Sequence, residues 1–434
     1  MSLEDQPVTA QPLLGLLFMR KPSVLVIFLT VFIDLIGFGI IVPLIPSYSE
    51  HFGAHGVVIG LIFASYSAMQ FVFSPIWGGL SDRYGRRPIL LISTVGAAAS
   101  YVLFARGTAL ENHTAALWLI VVSRTFAGIC GGNITVAQAY IADITLPAER
   151  SKKMGLIGMA FGLGFILGPF IGGMSLRYLG DTGPGWIAAV LCAANFVLAW
   201  FILTESHRPD SAQAAPRPHL DQWAHTLNQP KVGLLVVVFF LATFCFSCFE
   251  STLALLIGVN FHLDFKQDPT SASTVAYLFV YCGLVGALVQ GGAIGRLVKK
   301  LGEPKLIALS LLLTAASMAW IPFLKGAARL SWHVLLQPDG LPWVWLLLAL
   351  ALLSVGTSLT RPPLFGMVSN LTPNNQQGAT IGVTQGAGSL ARIVGPIFAT
   401  ALLAYSPPLP YVICAGVLLG TTALVVLRLS RDSQ

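Results

Sequence analysis

The sequence predicts an all-α integral membrane protein with twelve transmembrane helices in two six-helix bundles related by pseudo-two-fold symmetry. Three observations carry that expectation. Hydrophobic residues make up 55% of the 434 and charged residues only 10%, against about 25% charged in a soluble domain. The apolar residues gather into runs of about 20 or more, the length that crosses a bilayer. A short charged motif also recurs at matching places in the two halves of the chain.

Taken in order, the runs lie at roughly 23–47, 56–80, 88–105, 115–142, 152–176 and 186–204, then 231–260, 272–297, 305–324, 341–368, 377–404 and 409–428. The connections are short except at the midpoint, where 205–230 carries Pro, Ala and charges. This divides the chain into an N-terminal bundle (1–204), a linker (205–230) and a C-terminal bundle (231–434). Within the linker, Leu220, Trp223 and Leu227 recur at helical spacing, which predicts a short amphipathic helix lying on the membrane surface. Trp332 and its neighbours in 326–338 have the same character on the other side.

Seventeen of the 25 basic residues fall on the side that holds both termini and five on the other, with Arg124, Arg361 and Arg392 inside spans. This bias predicts cytoplasmic termini. The net charge of +7 is therefore a topology signal, and the basic residues form no stripe that would bind nucleic acid. The six cysteines all lie in apolar runs, and Cys245 and Cys248 read as packing residues. The chain offers no spacing of metal ligands, no phosphate-binding GxxxxGK[ST] loop and no nucleophile–base pair. The expectation is thus a transporter without metal or cofactor, not an enzyme.

The recurring motif is GGLSDRYGRRP at Gly78–Pro88, which reappears as GRLVKKLGEP from Gly295. Aligning Gly78 with Gly295 pairs Arg83 with Lys300, Gly85 with Gly302 and, after one deletion, Pro88 with Pro304. Lys299 stands where Asp82 should repeat. Internal repeats of this kind mark transporter folds built from two related halves. In RTFAGICGG, Arg124 is followed by Gly128 and Gly132. In GFILGPFIGG, Gly164, Gly168 and Gly172 recur every fourth residue beside Pro169 and Gly173. The small residues make a smooth face for close helix packing, and the proline removes a backbone donor and invites a kink. A kinked, smooth helix suits the seam between two rocking bundles.

Charges inside spans are the sharper signal, since each costs about 2.5–3.5 kcal/mol at the bilayer centre on insertion scales. Asp34 and Glu250 lie 44 and 45 residues before Gly78 and Gly295. They thus occupy near-equivalent places in the halves and are expected to face a central cavity. Asp34 sits eleven residues into its span, roughly 16 Å deep at 1.5 Å per residue. Desolvation there disfavours the charged form, so the group is suited to taking and releasing a proton. Glu250 reads equally as a proton carrier or as a site for a cationic substrate. Arg361 precedes Pro362 and Pro363, where the helix is expected to break. Together with Arg392, it offers a place for an anionic or zwitterionic substrate. Asn133, Gln138, Phe246, Tyr281, Gln290 and Gln385 complete the candidate substrate contacts.

These motifs resemble those of the major facilitator superfamily. GGLSDRYGRRP is similar to the loop between its second and third helices, and RTFAGICGG to its fourth-helix arginine motif. GFILGPFIGG is similar to the fifth-helix motif of its proton-coupled antiporters, and SLARIVGP at Ser389–Pro396 also fits. The resemblance covers essentially all twelve spans and points to the drug–proton antiporter branch that includes tetracycline-resistance exporters. It implies that Asp34, Arg124 and Glu250 couple protons. Arg124 would either hold Asp34 ionised until substrate arrives or form a permanent structural pair with it. It also implies a cytoplasmic gate of Gly78, Asp82, Arg83, Gly85, Arg86, Arg87 and Asp143. In that gate Asp82 caps the eleventh span near Gln377 and Gly378, and Arg86 pairs with Asp143. The function implied is export of small amphiphilic molecules such as tetracycline-like compounds in exchange for protons, by a monomer in a bacterial inner membrane. The alternatives are a facilitator, an uptake symporter, a lipid or organic-anion transporter of the same fold, or a non-transporting sensor.

Overall fold

In the computed structural model every regular element of the described residues is helical, and these residues are 22–45, 48, 52, 57–207, 219–263, 269–326, 337, 340–403 and 405–429. The N-terminal half contributes α1 (Val24–Ile41), α2 (Val57–Tyr84), α3 (Arg86–Thr108), α4 (His113–Cys130), α5 (Asn133–Asp143), α6 (Arg150–Leu179) and α7 (Gly183–Ile202). The linker carries α8 (His219–Asn228). The C-terminal half contributes α9 (Pro230–Asn260), α10 (Pro269–Gly292), α11 (Ile294–Leu301), α12 (Glu303–Trp320), α13 (Leu341–Leu371), α14 (Gln377–Leu403) and α15 (Leu409–Leu429). The segment around Trp332 lies outside the described residues.

Ten stretches are long and apolar enough to cross a membrane, one of them α4 and α5 taken together as His113–Asp143. An eleventh is the pair Tyr277–Gly292 and Ile294–Leu301, bent by 59°. The 28-residue α2, which ends in Asp82, Arg83 and Tyr84, completes the expected twelve.

The repeat is visible in the backbone. Gly85 (φ 97°, ψ 159°) separates α2 from α3, and Gly302 (φ 77°, ψ 159°) separates α11 from α12. Both adopt a positive φ that side chains resist, so one motif makes one turn twice. The copies differ before the turn: α2 runs straight into it, whereas α10 breaks at Ala293 and bends into α11.

Two expectations about helix shape change. Arg361–Pro363 does not break its helix; α13 continues from Leu341 to Leu371 with both prolines inside. Neighbouring helices and polar side chains can satisfy the backbone groups that a membrane-helix proline frees. The glycine face of α6 is also not at the seam between halves. Cβ atoms on Gly164 and Gly168 would strike Leu35 and Gly39 of α1, and one on Gly172 would strike Ile40. That packing lies within the N-terminal half, and Gly173 faces open space. The seam is made by a second small face of α6, where Gly155 and Gly158 meet Gln290 and Gly162 meets Gly283 and Ala287 of α10. Residues two apart lie about 200° around a helix, so Gly162 and Gly164 open opposite sides of it. The helix stays continuous through Pro169.

The halves meet along α2–α14, the most extensive helix pair in the fold, and along α6 with α10 and α13. The leading helices α1 and α9 make no comparable contact. α8 docks beneath α9 and reaches both halves. Its Trp223 packs at a tilt against Phe71 of α2, with ring centroids 5.3 Å apart, and covers Gly386 of α14.

Candidate transport site and cytoplasmic latch

At the Gly78–Pro88 end the two halves touch backbone to backbone. A Cβ on Gly78 would run into the Gly378 carbonyl, and one on Gly378 into the Gly78 carbonyl. One turn along α2, Asp82 faces the first turn of α14. The backbone N–H groups of Gly378 and Ala379 donate to its two carboxylate oxygens at 2.9 and 2.8 Å. A carboxylate at a helix N-terminus meets both free N–H groups and the positive end of the helix dipole. The cap falls one residue further along than Gln377 and Gly378.

Arg86 is fully buried and ties this cap to the rest of its bundle. Its Nη1 lies 2.7 Å from Asp82 Oδ1 and donates to Ser81 Oγ at 2.7 Å, while its Nε lies 2.9 Å from Asp143 Oδ2. Two carboxylates thus share one guanidinium, and Ser206 Oγ adds a hydrogen bond to Asp143 at 3.1 Å. Arg83 takes no part; it is exposed, with its guanidinium over Tyr84. Arg87 turns to α7 and donates to the carbonyls of Leu203 and Trp200.

Glu205 joins this cluster from outside the motif. Its carboxylate accepts from the N–H groups of Arg86 (2.8 Å) and Arg87 (3.1 Å), capping α3 from 119 residues away. It fills the space beside Gly85 that a Cβ would need. No local signal marks such a cap, because the two chain segments meet only in the fold.

The second copy of the motif uses different chemistry. Lys299 replaces the capping aspartate, but Glu303, just after the turn, accepts a hydrogen bond from Ser151 Oγ at the start of α6. Beside it Arg150 donates to Ser369 O at 3.2 Å and Asn370 Oδ1 at 3.1 Å. Both copies therefore tie one half to the other.

Asp34 lies deep in the N-terminal bundle and not on a shared cavity. It is 6% exposed. Asn195 of α7 donates to its Oδ1 at 2.8 Å, and Asn133 of α5 donates to its Oδ2. Asn133, a candidate substrate contact, is thereby committed to the carboxylate. Asn195 was legible as an amide within the apolar run LCAANFVLAW, but its partner was not. Arg124 does not pair with Asp34. It is 2% exposed, its guanidinium lies over Tyr66 (4.7 Å) and Phe38 (5.6 Å), and its Nε has no hydrogen-bond partner among the described residues. The aromatic faces supply the contact that the carboxylate was expected to make.

Glu250 differs from Asp34 in its surroundings. It sits deep among the helices yet is solvent-exposed, within electrostatic reach of Arg392 and Arg361. Arg392 is half-buried and near Tyr66, and its Nη2 reaches Ser389 Oγ at 3.4 Å. The guanidinium of Arg361 lies over Phe239 (5.2 Å) and Phe161 (5.6 Å). Below it Gln385 donates to Gln138 at 2.9 Å, joining α14 to α5, and this pair lines a small cavity with Arg361 and Phe161. Phe246, one turn before Glu250, packs near Phe249 at 6.0 Å, and Tyr281 is half-buried against the same core. Gln290 lies in the seam against Gly158. The arrangement is closed at the latch, where the halves touch backbone to backbone at Gly78 and Gly378.

Comparison with known proteins gives one answer. The family described as Major Facilitator Superfamily matches residues 27–341 and 295–434. The class E tetracycline resistance protein of Escherichia coli is 32% identical over 382 residues, covering 86% of each chain. The class C protein of the same organism is 29% identical over 399 residues, covering 89% of this chain and 91% of the relative. Among solved structures, the human organic anion transporter MFSD10 (TETRAN) superposes with a TM-score of 0.76 at 25% identity, over 94% of this chain and all of the other.

Proposed function

This chain belongs to the major facilitator superfamily, and from that membership we propose that it exports small amphiphilic molecules in exchange for protons by alternating access. Family membership itself makes it a multi-pass membrane transporter of small molecules. The observation that supports proton coupling is Asp34, a carboxylate buried mid-span and held by two neutral amides, with no ion pair to it among the described residues. Without a fixed countercharge, the group can be neutral in one state of the cycle and ionised in another. Protons are then the coupling ion, and no metal or organic cofactor is required.

One proton crossing 100 mV supplies about 2.3 kcal/mol, enough to hold a gradient of roughly fifty-fold. The latch sets the direction in which the cavity opens. With Asp82 on α14 and Arg86 on Asp143, the cytoplasmic face is shut, in a bacterial inner membrane with both termini in the cytoplasm. The similarity to tetracycline resistance proteins supports drug-like substrates. The test is transport in proteoliposomes carrying an imposed pH gradient, with tetracycline and other amphiphilic drugs as substrates. Gradient-driven accumulation with matching proton counterflow is expected, and accumulation indifferent to the gradient makes the protein a facilitator. A second reading, movement of an organic anion, is supported by the similarity to the human organic anion transporter MFSD10 and by two arginines, Arg361 and Arg392, within spans of the C-terminal half.

A further inference from the structure

We propose that Asn133 is the positioning residue that carries the protonation state of Asp34 to the latch. It acts by way of α5, which holds the carboxylate at its first residue and the latch at its last. The role rests on the proton-coupled reading and assigns the element that transmits the proton's arrival.

The fourth span is broken. α4 ends at Cys130 and α5 begins at Asn133, with Gly131 and Gly132 between them. The carbonyls of Ile129, Cys130 and Gly131 lie at this break. Each accepts from a side chain of α2 or α3: Trp77 Nε1, Ser93 Oγ and Gln70 Nε2 in turn. Backbone freed inside a membrane is tolerated where such partners replace the helical ones. A Cβ on Gly132 would strike Trp77, the neighbour of Gly78 at the latch. α5 is therefore a separate rod with a joint at its start, 11 residues long and about 15 Å from first to last at 1.5 Å per residue. Polar side chains at its start, middle and end reach three other helices. Asn133 donates to Asp34 Oδ2 of α1. Gln138 accepts from Gln385 of α14, in the opposite half, at 2.9 Å. Asp143 faces Arg86 Nε of α3 at 2.9 Å. One short helix thus joins the proton carrier, the seam and the latch.

The two amides on Asp34 are not equivalent. Asn195 Nδ2 also donates to Thr30 O at 2.8 Å, so it keeps its place whatever the carboxylate does. The Asn133 side chain has no second hydrogen bond among the described residues. The ionisable groups that face this stretch of α1 are Cys192 of α7 and Tyr101 of α3, both against Gly37, and Tyr66 and Arg124 beside Phe38. Among the described residues no ion pair joins Asp34 to a cation. A hydrogen bond to a charged group is roughly twice as strong as a neutral one, and uptake of a proton removes that charge. Protonation of Asp34 therefore loosens Asn133 first. With its start released, α5 can pivot at the glycine break, and Gln138 and Asp143 lose register with Gln385 and Arg86. A proton arriving from the open side then favours opening at the latch end. That is the order that exchange of a proton for an exported substrate requires.

The test is hydrogen–deuterium exchange on the full-length protein in nanodiscs at pH 8, reading the peptide that holds Gly378 and Ala379. Those two N–H groups are held by the Asp82 carboxylate, so their exchange reports how often the latch opens. Asp34→Asn, which keeps the shape and removes the charge, is expected to speed that exchange about tenfold, a shift of about 1.4 kcal/mol in the opening equilibrium. Asn133→Leu removes the donor at similar size and should do the same with Asp34 intact. The double variant should be no faster than either single one, because both act at one joint. Effects that multiply in the double variant mean that the two residues reach the latch separately, and they overturn the proposal. An unchanged latch in Asp34→Asn also overturns it, and decides the matter alone where Asn133→Leu does not fold. A rise shared equally by α12 reports general loosening and likewise overturns it. Proteoliposome flux separates this from the proton-coupled reading. The exchange pattern without gradient-driven flux sinks only that reading, and gradient-driven flux with a latch indifferent to both substitutions sinks only this one.

Discussion

Asn195 Nδ2 donates to Asp34 Oδ1 at 2.8 Å, and among the described residues no guanidinium shares that carboxylate. The pairing of Asp34 with Arg124, implied by resemblance, is replaced by two amides on the acid and two aromatic rings under the arginine. Asp34→Asn keeps the side chain's shape and removes its proton site. It is expected to abolish proton-driven accumulation in proteoliposomes while substrate counterflow, which needs no net proton movement, persists. Accumulation at the wild-type level would refute the assignment.

The latch predicts a change in rate without a change in affinity. Asp82 accepts from two backbone N–H groups and faces Arg86, and hydrogen bonds to a charged group are worth about 1.5–3 kcal/mol. Asp82→Asn retains one acceptor oxygen and loses the ion pair. The cytoplasm-closed population should fall on the order of tenfold, read as greater modification of a cysteine placed near the inner end of α14. Substrate Kd should not move. A parallel loss of binding counts against a separate gate.

Glu205 offers a stability test of the turn that carries the latch, because its carboxylate holds the backbone of Arg86 and Arg87 and not the Arg86 guanidinium. Its carboxylate caps two N–H groups at the start of α3, and loss of a helix cap costs about 0.5–2 kcal/mol. Glu205→Ala should lower the melting temperature by a few degrees. Glu205→Gln, which keeps one acceptor, should fall between. An unchanged melting temperature in Glu205→Ala would show that water replaces the cap at no cost.

The features legible in the sequence were those with a local physical signature. Apolar run length gave the spans, and the Gly85–Gly302 repeat anticipated two turns that share a positive φ. A charge inside an apolar run flagged Asp34, Glu250 and Arg124 before any contact was known. What stayed hidden depends on how helices turn toward one another. Gly162 and Gly164 are two residues apart and serve opposite neighbours, so the motif could not show which face met the seam. Asn133 and Asn195 are 99 and 161 residues from the aspartate they hold, a separation no spacing rule crosses. Equivalent positions in the repeat also misled, for Asp34 is buried within its bundle while Glu250 is open to solvent.

The degenerate copy of the loop supplies the remaining prediction. Lys299 stands in place of the capping aspartate, which implies a latch strongest on the N-terminal half, yet Ser151 of α6 donates to Glu303 beside the second turn. Gly366 leaves the space for this pair, since a Cβ there would strike Ser151 Oγ and approach Glu303. A hydrogen bond to a carboxylate between the halves has value only while the halves are closed at this end. Ser151→Ala and Glu303→Gln should therefore each increase accessibility there, and a double-mutant cycle on the closed–open equilibrium should return a coupling of about 1–2 kcal/mol. Gly366→Ala should mimic the loss by forcing the pair apart. Additive effects of the two single substitutions would mean that Glu303 acts through general charge and not through Ser151, leaving the Asp82 cap as the principal tie between the halves.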